Sequence, residues 1–228
     1  MDREHWLGIA GLLLLIGGSV FGLLIAPPEK YMGDVGRILY IHVPTAWNAL
    51  LIATAAFVIA IGSLVKRSPK WDAALHGTLA TTALLTVMLL IQGAIWAKPT
   101  WGVYWDWDPR LTTSAIMGVS FAGLLALRAS LDDPERRATW TAVGTIIAYV
   151  DVPIVYMSIK WWRTLHQNFS TPETVNEMMV IPLRINAFAM LFIGIWLSVR
   201  MARLSLAERG AAVPTAPASA DPLIAGRA

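Results

Sequence analysis

Three groups of residues in this chain have side chains suited to holding a ligand. The first is the run Lys98-Pro99-Thr100-Trp101-Gly102-Val103-Tyr104-Trp105-Asp106-Trp107-Asp108-Pro109-Arg110-Leu111-Thr112, with Trp96 just before it. If the run is helical, Trp101, Tyr104, Trp105 and Asp108 fall at i, i+3, i+4 and i+7 and share one face. That spacing predicts an aromatic shelf along a membrane surface. An interfacial aromatic belt is the plainer reading, but a belt scatters its rings near helix ends rather than crowding them into one loop. The second group is His42, in Tyr40-Ile41-His42-Val43-Pro44, and His166, in Trp161-Trp162-Arg163-Thr164-Leu165-His166-Gln167. The third is arginine: Arg37, Arg110, Arg163 and Arg184. Haem is the ligand that would use all three groups. Its macrocycle packs on indoles, its iron takes neutral imidazoles from opposite faces, and its propionates accept paired hydrogen bonds from guanidinium groups. Zinc fits less well, because no close set of ligands has metal-site spacing.

The elements that must position these residues are membrane spans. Of 228 residues, 56% are hydrophobic and only 14% charged, against about 25% charged in an ordinary soluble domain. A water-facing surface cannot be covered by so few charges. Six apolar runs reach the ~20 residues that a helix needs to cross the hydrocarbon: 6–26, 44–65, 73–96, 111–127, 138–159 and 180–201. The expected fold is all-α, a polytopic membrane protein of six transmembrane helices. Residues 1–204 form one haem-handling domain with its tryptophan loop at about 97–112, and 205–228 read as a disordered tail rich in Ala, Pro and Gly. The first run lacks a basic leader and a clear cleavage site, so it reads as a retained span. Its Gly18-x-x-x-Gly22 could admit a closely packed helix.

Eleven of the Lys and Arg residues lie at the termini and in the second and fourth loops, and six in the other loops. This bias predicts cytoplasmic termini, with both His42 and His166 on the outward side beside the tryptophan run. The net charge of +3 is thus a topology signal rather than a nucleic-acid footprint. Cysteine is absent, which removes disulfides, thiolate metal sites and haem attachment through C-x-x-C-H. Asp108 before Pro109 has the form of a helix N-cap with Pro at N1. Two ionisable residues fall inside spans: Asp151 in the fifth and Arg184 in the sixth. A kink at Pro153 could bring them together as an intramembrane pair, either structural or functional.

The motif Trp101-Gly102-x-Tyr104-Trp105-x-Trp107-Asp108-x-Arg110-Leu111-Thr112 resembles the tryptophan-rich WWD motif of haem-handling proteins. With Ile41-His42-Val43-Pro44 and Trp161-Trp162-x-Thr164-Leu165-His166-Gln167, residues 1–203 are similar to the CcmC family of bacterial cytochrome c maturation. The resemblance implies that His42 and His166 are axial ligands of non-covalently held haem b, and that Trp101, Trp105, Trp107 and Asp108 belong to the haem platform. Tyr104 stands where relatives often carry Trp. It also implies an inner-membrane protein with a periplasmic haem site, delivering haem to the chaperone CcmE beside CcmA, CcmB and CcmD of an ABC-type complex. No covalent nucleophile is evident, so the expected role is haem presentation rather than catalysis. The alternatives are a haem lyase acting directly on apocytochrome, a haem-translocating permease and a redox cytochrome b; the last would place paired His deep within its helices.

Overall fold

The computed structural model describes residues 3–166 and 176–212. Seven α-helices follow in order: α1 (Arg3–Leu24), α2 (Leu39–Lys66), α3 (Pro69–Trp101), α4 (Pro109–Ala129), α5 (Pro134–Ala148), α6 (Asp151–Trp161) and α7 (Glu177–Ala212). A 3-10 turn, Asp34–Ile38, leads into α2. Six helical stretches are long and apolar enough to cross a membrane, with α5 and α6 together forming the fifth. The expected all-α, six-span fold is therefore what the chain adopts. Side chains such as Leu13, Ile16, Val58 and Val119 remain exposed along the spans, the outward face that lipid would cover.

The helices pack around α3, which touches α2, α4 and α7. Alanines line the buried face of α2 at positions 49, 53, 56 and 60, in one core with Leu75 and Leu79 of α3 and Met117 and Phe121 of α4. Small residues let backbones approach closely, which is how helices gain dispersion contacts in lipid. The Gly18-x-x-x-Gly22 pattern serves the same end: a Cβ on Gly18 would strike Asn186 and Ile185 of α7, and one on Gly22 would strike Tyr40 of α2.

Several helix ends lie beyond the sequence expectation. α2 begins at Leu39 rather than Pro44, so His42 sits inside the helix. Pro44 cannot donate to the Tyr40 carbonyl; Asn186 Nδ2 of α7 donates to it instead at 2.7 Å. In the fifth span, Pro153 likewise leaves the Tyr149 carbonyl without its usual donor, and Val152 N supplies a tighter bond at 3.0 Å. The helix breaks there into α5 and α6. α7 continues through Ala212, so the segment expected to be disordered from Ser205 starts as helix. Its remainder, 213–228, lies outside the described residues, as does Gln167.

Two expectations fail. The tryptophan run is not a helical shelf: Gly102, at φ 81°, caps α3 in the left-handed region, and residues 102–108 carry no helix. The cap needs a conformation that residues with a Cβ rarely adopt. The Asp151–Arg184 pair does not form either. α6 packs on α4 and α2, whereas α7 packs on α1, α2 and α3. Asp151 lies ~15 Å from the end of α6 and Arg184 ~10 Å from the start of α7. Asp151 Oδ2 is buried without a hydrogen-bond partner.

Replacing Asn186 with Leu removes the donor that serves the Tyr40 carbonyl. The expected loss is about 1–3 kcal/mol, measured by denaturant unfolding in micelles, whereas the exposed Phe188→Leu should change little.

Candidate functional site

The end of the bundle that carries the tryptophan run gathers the start of α2, the end of α3, the start of α4 and the segment after α6. His42 lies in the first turns of α2 and is 7% exposed. Its ring meets Trp96 of α3 edge-on, with centroids 5.4 Å apart. Gly93, one turn before Trp96, leaves room for it: a Cβ there would lie 3.3 Å from His42 Cε1. His166 meets Trp101 in the same way at 5.5 Å. The two imidazoles thus pack on tryptophans of one helix end, separated by ~7.5 Å of rise.

Arg110 is close enough to both histidines for its charge to act on each, and the two rings are close enough to act on one another. Its guanidinium also reaches the Val155 carbonyl at 3.5 Å. Burial above all, with Arg110 behind it and Asp108 opposing, pushes the His166 pKa down to about 4. The ring is neutral at pH 7, the form that can ligate a metal. Nδ1 of His42, Nδ1 of His166, Nε1 of Trp96 and Oε1 of Gln92 are all buried without hydrogen-bond partners. Unused donors and acceptors at this density are costly in an apolar setting, and together with the neutral imidazoles and indoles they suit a metallated macrocycle.

Asp108 ties the site together. Its Oδ1 accepts from Arg110 N at 2.9 Å and Leu111 N at 3.4 Å, forming the N-cap of α4 that the sequence predicts. Its Oδ2 accepts from Leu165 N at 2.7 Å, across 57 residues of chain. Thr164 adds a side-chain hydrogen bond to the same carboxylate, and the Thr164 hydroxyl accepts from His166 N at 3.1 Å. Burial works to raise the Asp108 pKa, but these bonds outweigh it and hold the carboxyl below the usual carboxylate range.

The other expected residues are less closely gathered. Trp105 and Trp107 meet edge-on at 5.8 Å, but Trp107 is 80% exposed and Tyr104 also faces outward. Lys98 Nζ lies 5.2 Å over the Tyr104 ring. Arg37 is committed elsewhere: Nη1 donates to the carbonyls of Gly22 at 2.6 Å and Ala26 at 2.9 Å, and Nε to Asp34. It fastens the end of α1. Arg163 and Arg184 are exposed. Sequence reasoning passed over Gln92 and Gly93, and gave Trp96 and Thr164 no role of their own. The expected third span, 73–96, already puts Gln92 and Trp96 one turn apart on one face.

The architecture defines a six-span membrane protein with a histidine- and tryptophan-lined site at one end of its helix bundle. Residues 2–216 match the family described as Heme exporter protein C, CcmC. The chain is 35% identical to Heme exporter protein C of Bradyrhizobium diazoefficiens over 199 residues, covering 85% of this chain and 75% of that one. It is 34% identical to Heme exporter protein C of Haemophilus influenzae over 216 residues, covering 93% and 88% respectively. The Escherichia coli K12 protein of the same name is 34% identical over 204 residues, covering 88% and 83%. The chain belongs to the Heme exporter protein C family.

Asp108→Ala should free the segment that carries His166. Amide exchange at Leu165 and His166 is expected to quicken by about tenfold or more, as charge-assisted bonds of ~1.5–3 kcal/mol are lost. Exchange in the middle of α3 should stay as in the parent, a contrast readable by mass spectrometry of peptides.

Proposed function

We propose that this chain holds haem at the histidine–tryptophan end and delivers it to a haem chaperone during maturation of c-type cytochromes. The observation that carries this reading is the pair of imidazoles, the buried His42 on Trp96 and the half-buried His166 on Trp101, with Arg110 beside both. Membership of a family described as Heme exporter protein C supports haem as the cargo.

In this reading haem b is held without a covalent bond, and His42 and His166 are its axial ligands. Trp101 and Trp105, with Trp96, cover the macrocycle, while the exposed Tyr104 and Trp107 form the outer lip of the WWD loop. Arg110 is the first candidate for a propionate, and the exposed Arg163 and Arg184 are candidates at the rim. Arg37, occupied by backbone carbonyls, is better suited to holding the frame. Asp108 positions His166 rather than touching iron. The chain orients haem and leaves covalent chemistry to its partner, a proximity contribution, so the role is that of a non-enzymatic transfer component. The lysine and arginine bias supports cytoplasmic termini and a periplasmic site in the bacterial inner membrane. The receiving partner in this reading is CcmE, with CcmA, CcmB and CcmD completing an ABC-type release complex.

The test is purification with haem and visible spectra of His42→Ala and His166→Ala made separately. Each should lose the two-imidazole low-spin signature and most of its haem. Parent spectra and parent haem content in both would overturn the axial assignment. Trp101→Ala should lower occupancy while leaving any remaining haem two-imidazole ligated. Covalent haem appearing on the chaperone without apocytochrome separates delivery from direct lyase activity.

A further inference from the structure

The opposite end of the bundle holds a cavity of about 330 Å³ between α3, α4, α5 and α7. His76, Arg128, Arg137 and Arg209 line it, with Glu208 exposed at its rim. Behind it, Asp72 is 2% exposed and receives Arg128 through paired hydrogen bonds of 2.6 and 2.8 Å. Arg209 bonds to the same carboxylate from α7. One buried negative charge therefore faces two guanidinium groups. Arg137 brings a third from the start of α5, and its Nε is buried with no hydrogen-bond partner. His76 Nδ1 is buried and unpartnered as well. With His76 counted as neutral, three positive and two negative groups surround the cavity, leaving one positive charge unmatched.

The lining holds no Trp, Tyr or Phe, so nothing there covers a macrocycle. The volume sits at the low end of the ~300–1,000 Å³ typical of ligand pockets. Small size, excess positive charge and unused nitrogen donors select a compact anion with several acceptor oxygens, which guanidinium forks bind well. Arg128 ends α4 and Arg137 begins α5, so the cavity lies at the level of lipid headgroups. Basic pockets between spans at that depth suit anionic headgroups. We propose that this cavity binds a phosphate group, presented by a phospholipid of the adjoining leaflet or free in solution.

The test uses the full chain in detergent, titrated with dioleoyl phosphatidylglycerol, with dioleoylglycerol as the phosphate-free control, and with inorganic phosphate. Binding is followed by native mass spectrometry for the lipids and by thermal shift for phosphate. The parent should bind phosphatidylglycerol, phosphate or both, and not dioleoylglycerol; which of the two binds identifies the source. Arg137→Ala should weaken binding by about tenfold or more. Ala129→Glu, which sets a carboxylate at an exposed lining position, should do the same and decides the matter alone if the first variant fails to fold. Haem content should be unchanged in both. Equal binding of dioleoylglycerol and phosphatidylglycerol with no response to phosphate, no binding of either phosphate probe, or parent affinity in a folded variant would overturn the proposal.

Discussion

A single carboxylate, that of Asp108, holds the histidine–tryptophan end in shape. It closes the first turn of α4 and takes the Leu165 amide and the Thr164 hydroxyl from a segment 57 residues away. A helix N-terminus already presents unpaired amides and a partial positive charge, so an ionised Asp is well placed there. Adding donors from a second segment makes the cap a tertiary joint. His166 hangs from that joint through Thr164, and its ring meets the edge of Trp101.

The same demand for satisfied polar groups runs through the rest of the bundle, because the hydrocarbon offers no water to take their place. The Tyr40 carbonyl, freed by Pro44, is served by Asn186. Arg37 caps the carbonyls at the end of α1. Thr78, Thr81, Thr82 and Thr86 return their hydroxyls to carbonyls of their own helix. Glu4, buried at the start of α1, meets Arg203 of α7 at 2.6 Å. The pattern is incomplete: Asp151 Oδ2, the Thr141 hydroxyl and Asn186 Oδ1 are buried without a hydrogen-bond partner.

Span number and the gathering of His42, His166 and the tryptophan run at one end were legible in the sequence, because apolar run length and alternating topology decide them. The Asp108 cap was legible too, since N-cap chemistry is local. Helix boundaries were not. Pro44 reads locally as a helix start, and it takes Asn186, 146 residues from Tyr40, to serve the carbonyl that an earlier start leaves open. The aromatic shelf failed because i, i+3, i+4 spacing assumed a helix that Gly102 ends. The Asp151–Arg184 pair failed because depth in a span says nothing about which helices are neighbours. For the same reason, lysine and arginine counting saw Arg128, Arg203 and Arg209 as topology signals and missed the acidic partners that they bury.

The close fit of α1 against α7 sets an order of assembly. Of the six spans described, α1 leaves the ribosome well before α7, yet each is the other's main neighbour. Until α7 arrives, the glycine face of α1 and the Tyr40 carbonyl lie uncovered in the bilayer, and Glu4 and Asp72 lack their α7 arginines. The intervening helices must therefore wait, inserted but unlocked, and the bundle closes only when α7 packs against them.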